Sequence, residues 1–410
     1  MIDYVLPLRW EDDSGLGELT AYLREVSRHA RVIVVDGSPQ ELFERHAAAW
    51  RGLAAHVRPA ADLRFANGKV NGVLTGLRLA RAEHVVIADD DVRHDERTLA
   101  RIDALLGEAE LVRPQNYFDP SPWHALWDTA RTLLNRGLGA DYPGTFGVRR
   151  SFFHHMGGYD GDVLFENLEL IRTVRAHGGR ELRPLDLYVP RRPPDARRFW
   201  SQRVRQAYDD LAQPWRMALF LPVLPALAAC AVRRRCAPVA AGAGAAVALA
   251  ELGRRRAGGR RVFPATAPLF APVWVLERAT CGWLALGAAL CGGVPYAGRR
   301  LRRAAHSARS LRRAAGSARP SLFARALRGA ARSARSSLRR AARSPRPSLR
   351  AAARSVRSSL RMVQSGRRSG SLEARKPVAL CEPSQNGFVD ERPQRHSATV
   401  ARPAGITSPS

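Results

Sequence analysis

Apolar and polar positions in the first 110 residues follow two alternating periods. Tyr4-Val5-Leu6, Val32-Ile33-Val34-Val35 and Val85-Val86-Ile87-Ala88 are short, unbroken apolar runs, the pattern of strands buried on both faces. Between them, Leu16, Leu19, Leu23 and Val26 recur at helical spacing in a helix expected over residues 16–29, and further helical patterns cover residues 41–50 and 70–81. Buried strands alternating with helices predict βαβ units and a parallel sheet, hence an α/β fold. Asp36 ends the second run, in the turn Asp36-Gly37-Ser38-Pro39, and Asp89-Asp90-Asp91 ends the third. Ligands of such sheets bind beyond the carboxyl ends of the strands, so these acids mark the expected site.

Beyond this region the pattern predicts a short strand at residues 144–148, a turn at Gly157-Gly158-Tyr159-Asp160, and helices over residues 168–177 and 199–211. After residue 215 it changes again. Residues 217–232, 236–250, 262–276 and 279–298 are apolar, each at or below the roughly 20 residues a membrane-spanning helix needs. Arginine clusters at 233–235, 254–256, 260–261 and 299–303 punctuate them, which suits membrane flanks. Buried Ala-rich helices of a soluble bundle are the other reading. From residue 299 the chain is rich in Arg, Ser and Ala, with an 11-residue repeat over 331–363 that carries Leu338, Leu349 and Leu360. One Leu per three helical turns buries too little to fold, and Pro345 and Pro347 interrupt any helix, so a disordered basic tail is expected.

Charge reinforces this division. The net charge is +29, yet residues 1–215 hold 29 basic against 31 acidic residues, and the excess lies wholly in the C-terminal half. It therefore says nothing about what the N-terminal part binds. In the tail, adhesion to anionic lipid and a repeat without specific function are both open. Specific nucleic-acid binding is not expected, because Phe323 is the only aromatic between Arg299 and Gly387. The five cysteines, all beyond residue 229, have no metal-site spacing, which fits reduced, cytosol-facing chemistry. The sequence Met1-Ile2-Asp3-Tyr4 lacks the basic and apolar regions of a cleaved signal peptide. Lys occurs only at positions 69 and 376, every other basic residue being Arg, which singles out Lys69.

Asp89 and Asp91, two residues apart at a strand end, are placed to share a divalent cation and the phosphates it bridges. Alone, such a pair equally describes an acidic surface turn, and Asp36 equally a helix N-cap. The ordered series is more specific. Val32-Ile33-Val34-Val35-Asp36-Gly37-Ser38, Gly68-Lys69-Val70-Asn71-Gly72, and Val85-Val86-Ile87-Ala88-Asp89-Asp90-Asp91-Val92 resemble glycosyltransferase family 2, the inverting GT-A-fold enzymes. Gly144-Thr145-Phe146-Gly147-Val148-Arg149-Arg150 with Gly157-Gly158-Tyr159-Asp160, Phe165-Glu166-Asn167-Leu168-Glu169-Leu170, and Gln202-Arg203-Val204-Arg205-Gln206 are similar to later segments of that family.

The resemblance, over about residues 2–215, implies a GT-A nucleotide-diphospho-sugar transferase domain. It implies that Asp36 contacts the base or ribose, Asp89 and Asp91 the ribose and a Mg²⁺- or Mn²⁺-bound diphosphate, and Lys69 the nucleotide. Gln202 and Arg205 would lie beside the diphosphate and acceptor channel. Two positions depart from the family. Asn167 stands where its catalytic Asp is usual, and an amide accepts no proton at neutral pH, so Glu166 or Glu169 would take the role or transfer would be weak. Gln206 replaces the Trp of the last segment, against analogy with processive synthases.

The expectation is thus a GT-A catalytic domain over residues 1–215, transmembrane or membrane-associated apolar helices over 216–298, and a basic tail over 299–410. The function expected is transfer of a sugar from a nucleotide-diphospho-sugar to a lipid-linked or cell-envelope glycan acceptor, at the cell membrane with the catalytic domain facing the cytoplasm. The rivals are a nucleotide-sugar-binding relative that has lost catalysis and a membrane-anchored polyanion-binding protein acting through its tail.

Overall fold

The structure is a computed structural model that describes residues 1–296 and 298–316. The chain begins β1 (Ile2–Leu8), α1 (Leu16–Val26), β2 (Ala30–Asp36), α2 (Gln40–Ala49), β3 (Ala55–Val57), α3 (Gly68–Leu79), β4 (His84–Ala88) and α4 (Glu96–Leu106). It continues through β5 (Leu111–Val112), β6 (Gln115–Phe118), α5 (Trp123–Leu138), β7 (Thr145–Arg149), α6 (Arg150–His155), α7 (Glu166–Ala176), β8 (Glu181–Leu182) and β9 (Tyr188–Arg191). Helices α8 (Ala196–Ser201), α9 (Arg203–Tyr208), α10 (Pro214–Phe220), α11 (Val223–Val232), α12 (Ala237–Arg255) and α13 (Ala271–Leu290) follow. The described chain closes with β10 (Val294–Tyr296), β11 (Arg299–Leu301) and α14 (Ala308–Gly316).

The central sheet has seven strands in the order β3-β2-β1-β4-β7-β5-β8. The first four are mutually parallel; β7 runs antiparallel to both β4 and β5. The unbroken apolar runs have a direct cause. Val5, Ile33 and Val35 join the core under α3 and α7, while their neighbours Tyr4, Leu6, Val32 and Val34 join the core under α1 and α4. Successive side chains point to opposite faces, so a strand covered on both sides must be apolar throughout. The chain leaves β1 toward β2 and β3, then returns to β4 on the other side of β1, which puts a crevice at the carboxyl ends of β1, β2 and β4.

A parallel ribbon of β6 and β9 lies beside that crevice, and Arg192 N–H donates to the Asp91 carbonyl at 2.7 Å. Packed against this side, α5 and α12 approach backbone to backbone. A methyl group on Gly253 would lie 1.9 Å from the Leu133 carbonyl oxygen, so only glycine permits the crossing. Fully buried Arg136 of α5 donates to Gln115, Tyr188 and the Gly253 and Arg256 carbonyls, tying ribbon and helices together.

Several expectations are corrected. The helix expected over residues 199–211 breaks at Gln202 into α8, α9 and a 3₁₀ turn over Asp209–Ala212. The apolar segments 262–276 and 279–298 are not two helices: α13 runs through both, because only the start of the first is held in turns by its prolines. The boundary at 299 also moves, since Arg299–Leu301 is a strand and residues 303–306 bond to the α7 region. The repeat over 331–363 and the rest of the tail lie outside the described residues. Two stretches, Pro214–Val232 and Ala267–Leu290, are long and apolar enough to cross a membrane, and 17% and 33% of their most apolar portions are buried. In α13, however, Glu277 and Arg278 are buried against Arg203 and Asp210, which fixes one face of that helix to the protein. The four described cysteines are unpaired.

Candidate active site

Asp36 and the Asp89-Asp90-Asp91 loop share one rim. In register, Leu8 pairs with Asp36 and Val5 with Ile87, so only β1 separates the two acidic ends, two strand spacings or ~10 Å apart. Trp10 spans the gap. Its indole N–H donates to Asp90, its backbone N–H donates to Ser38 Oγ at 2.9 Å, and its ring packs edge-on against His46.

Asp36 sits below the surface. Its Oδ1 accepts from Ser38 N–H at 2.8 Å, and its Oδ2 lies 2.7 Å from His46 Nδ1 and 3.0 Å from His56 Nε2. Burial opposes the charge, but the bonds from His56, Ser38 and His46 outweigh it and hold the carboxyl well below the usual range. Asp36, His46 and His56 are close enough to hold an ion, their ligand atoms lying within 4.8 Å of one another. Here those atoms are engaged with each other, and His46 Nε2 also faces Asp13 at 3.0 Å. Fully buried, Asp36 has no open face toward a nucleotide; it orients the Ser38 loop and the histidines instead.

Asp89 and Asp91 lie at the rim itself. Asp89 Oδ1 is 2.7 Å from Lys69 Nζ, and Arg191 of β9 bridges the two acids, its Nε 2.8 Å from Asp91 Oδ2 and its Nη2 3.6 Å from Asp89 Oδ2. Asp91 Oδ1 is buried with no hydrogen-bond partner. Burial, with repulsion from Asp89 and Asp90, raises the Asp91 carboxyl against the pull of Arg191. Gly144 closes the cradle: its carbonyl accepts from Asp89 N–H at 2.9 Å, and a methyl group there would sit 2.6 Å from Asp89 Oδ2. Adjacent carboxylates with an unmatched buried oxygen fit a hard divalent cation.

Lys69 lies in the first turn of α3, where the N-cap Asn67 side chain accepts the Lys69 N–H. Its ammonium also lies 2.6 Å from Glu166 Oε1, at the start of α7. Burial would lower its pKa, but Asp89 and Glu166 outweigh this and keep it charged. Glu166 therefore reaches the site, held by a cation. Glu169 does not: it is fully buried and accepts from the His306 backbone N–H at 2.7 Å and faces its ring at 3.0 Å, which removes it as an alternative base. Asn167 donates to the Pro143 carbonyl at 3.0 Å, just before Gly144, a bond an ionised Asp could not make. The guanidinium of Arg205 lies 5.6 Å from the Tyr296 ring centre, and the Tyr296 hydroxyl is 3.3 Å from Asn67. Gln202 is half-buried at the α8–α9 break, its backbone N–H on Phe199.

Three residues at or beside the site went unread in the sequence: Arg191, Tyr296 and Asp209. Burial, aided by Asp210 and Glu166 and opposed by Arg205 and Arg278, pushes the Asp209 carboxyl up to about 7. Its available signal was an acidic pair, Asp209-Asp210, four residues beyond Arg205. Arg191 had none, standing in an arginine-rich chain.

The fold is α/β, a mixed sheet with an acidic rim at the carboxyl ends of its parallel strands. No family model matches the chain, and no curated protein does. Among solved structures it is similar to a mannosyltransferase from Pyrobaculum calidifontis in complex with GDP-Man and Mn²⁺, at 19% identity over 69% of this chain and 86% of that one, with a TM-score of 0.39. It is also similar to glucosyl-3-phosphoglycerate synthase from Mycobacterium tuberculosis, at 15% identity over 48% and 72%, TM-score 0.34. A third is S. aureus TarS 1–349, at 14% identity over 50% and 64%, TM-score 0.35. Likeness at these levels assigns no activity.

Proposed function

We propose that the protein transfers a sugar from a nucleotide-diphospho-sugar to a lipid-linked or cell-envelope glycan acceptor, by a single inverting displacement. The observation that carries this is the pair Asp89 and Asp91 at the sheet rim, flanked by Lys69 and Arg191, with Asp91 Oδ1 buried and unpartnered. Asp89 and Asp91 would hold Mg²⁺ or Mn²⁺, which supplies positive charge against the leaving diphosphate. Lys69 and Arg191 are then free to face the phosphates, and Arg205 stands by to stabilise the departing charge. The acceptor oxygen bonds to the anomeric carbon as that carbon's bond to the diphosphate oxygen breaks, and the hydroxyl proton passes to a carboxylate. We assign this proton to Glu166 once Lys69 turns to the phosphates, with Asp209, whose carboxyl interacts electrostatically with that of Glu166, as the second candidate.

The exposed apolar faces of α11 and α13 support a position at the membrane, with the catalytic unit on the cytoplasmic side. The experiment is binding of a panel of nucleoside diphosphates to the full chain, with and without Mn²⁺, beside the Asp91→Ala variant. Metal-dependent binding lost in the variant is the expected result; metal-independent binding, or none, refutes the reading.

A second reading, a nucleotide-sugar-binding relative without transfer, is favoured by one observation: Asn167 is committed to the Pro143 carbonyl where a base would stand. Under it, the wild type binds donor without turnover, and Asn167→Asp creates or raises donor turnover.

A further inference from the structure

A groove between α5, α10, α12 and α13, of about 230 Å³, has an almost wholly apolar lining that includes Leu138, Trp215, Leu219, Leu249, Trp274 and Val275. Its two polar residues are satisfied: Arg216 Nη1 donates to Asn135 Oδ1 at 2.9 Å, and Arg216 Nε to Asp210 Oδ1 at 2.7 Å. The Trp274 indole N–H is the one lining group left without a hydrogen-bond partner, and it is a lone neutral donor. The mouth is open, with Leu138 64% exposed and Trp215 and Leu219 each 55%.

Two features say what covers it. Its wall continues through Val223 into α11, which is apolar and has no buried residue, within the stretch Pro214–Val232 that satisfies the length and hydropathy of a membrane span. Exposed Arg233, Arg234 and Arg235 follow, the charge that anionic headgroups attract. One wall residue, Asn135, links the groove to the catalytic side of the molecule. Asn135 donates to Asp141 at 2.7 Å, and Asp141 shares a small polar hollow with Arg131 and with Arg191, the residue that bridges Asp89 and Asp91.

We infer that this groove holds the alkyl chain of the acceptor lipid, so that the lipid's head reaches the Arg191 side of the catalytic rim. The inference rests on the proposed transfer to a lipid-linked acceptor and adds where the lipid binds. An alkyl chain suits a groove whose lining is almost wholly apolar and carries no free charge, because burying its methylenes there removes apolar surface from water.

The test is photolabelling of the full chain with a diazirine-tagged hexadecyl phosphate in anionic phospholipid vesicles, with labelled peptides mapped by mass spectrometry. Labels are expected on α5, α10 and α12 around Leu138, Leu219 and Leu249. Ala246→Trp, which fills the groove, and Leu219→Glu at its exposed mouth should each reduce those labels about tenfold while labels on α11 persist. Leu219→Glu changes only an exposed position, so it reports even if Ala246→Trp fails to fold. Labels confined to α11, labels unchanged in Leu219→Glu, or a groove protected by a second copy of the chain overturn the inference. Groove labelling without metal-dependent nucleotide binding would sink the transferase reading alone, and nucleotide binding without groove labelling would sink the groove alone.

Discussion

Lys69 Nζ lies 2.7 Å from Asp89 Oδ1, an ion pair between the first turn of α3 and the end of β4. A cation at a helix N-terminus opposes the helix dipole, so local helix energetics do not explain its position. The two carboxylates it joins do, since it also lies 2.6 Å from Glu166. Lys69→Ala leaves them facing each other without a cation. We expect a loss of about 1–3 kcal/mol in stability, part of which Mn²⁺ restores by taking up the excess negative charge. Thermal melts of wild type and variant, with and without metal, check this; an unchanged midpoint in the variant removes the pair from the site.

Gly144 is held by the absence of a side chain. Its N–H donates to Asn116 at 2.7 Å while Asp89 occupies the space a methyl group would need. Gly144→Ala should displace Asp89 and weaken metal-dependent nucleotide binding by about 100-fold, the effect of a misplacement near 1 Å. Isothermal titration calorimetry reads this directly, and wild-type affinity in the variant would show that Asp89 takes no part.

Asp209 gives a pH signature. A carboxyl raised to about 7 is protonated below that value and cannot accept a proton there. If it takes the acceptor's proton, transfer rises with pH through a limb centred near 7, and Asp209→Asn removes that limb together with most of the rate. A limb that survives in Asp209→Asn rules Asp209 out as the group that takes the proton.

His306 anchors the segment after β11 to α7. The Glu169 carboxylate raises its pKa above the usual 6.5, against burial and against Arg303, which sits 2.8 Å from its other nitrogen; Asp160, at 3.8 Å, adds to the rise. A histidine raised on folding stabilises fully below about 6.5, and its contribution is lost as pH climbs through the higher folded value. Amide exchange in α7 should therefore quicken from about pH 6.5 upward, and His306→Ala should flatten that dependence. Equal pH dependence in both proteins would refute the assignment.

The legible parts of the site were those written locally. Asp36, Lys69, Asp89 and Asp91 each stand at the end of a strand or the start of a helix whose apolar pattern marks it. Glu166 was legible only through its neighbours in the resembling segment. Helix α5 went unread because its buried face carries Asp128, Thr132 and Arg136, which pair with Arg203, Asp141 and Gln115 elsewhere in the chain and break the apolar stripe that marks a helix. Strands β5 and β8 are two residues each, too short for any period to show.

The sequence alone determined the parallel half of the sheet and the acids at its edge, because period and strand-end position are properties of adjacent residues. Tertiary structure decided what those acids meet. Arg191 reaches Asp91 from 100 residues away on a paired ribbon, Gly144 approaches Asp89 through an antiparallel neighbour, and Glu169 is taken by His306 across 137 residues. Such contacts depend on which elements pack together, and packing is settled by the burial of the whole chain rather than by the spacing along any part of it.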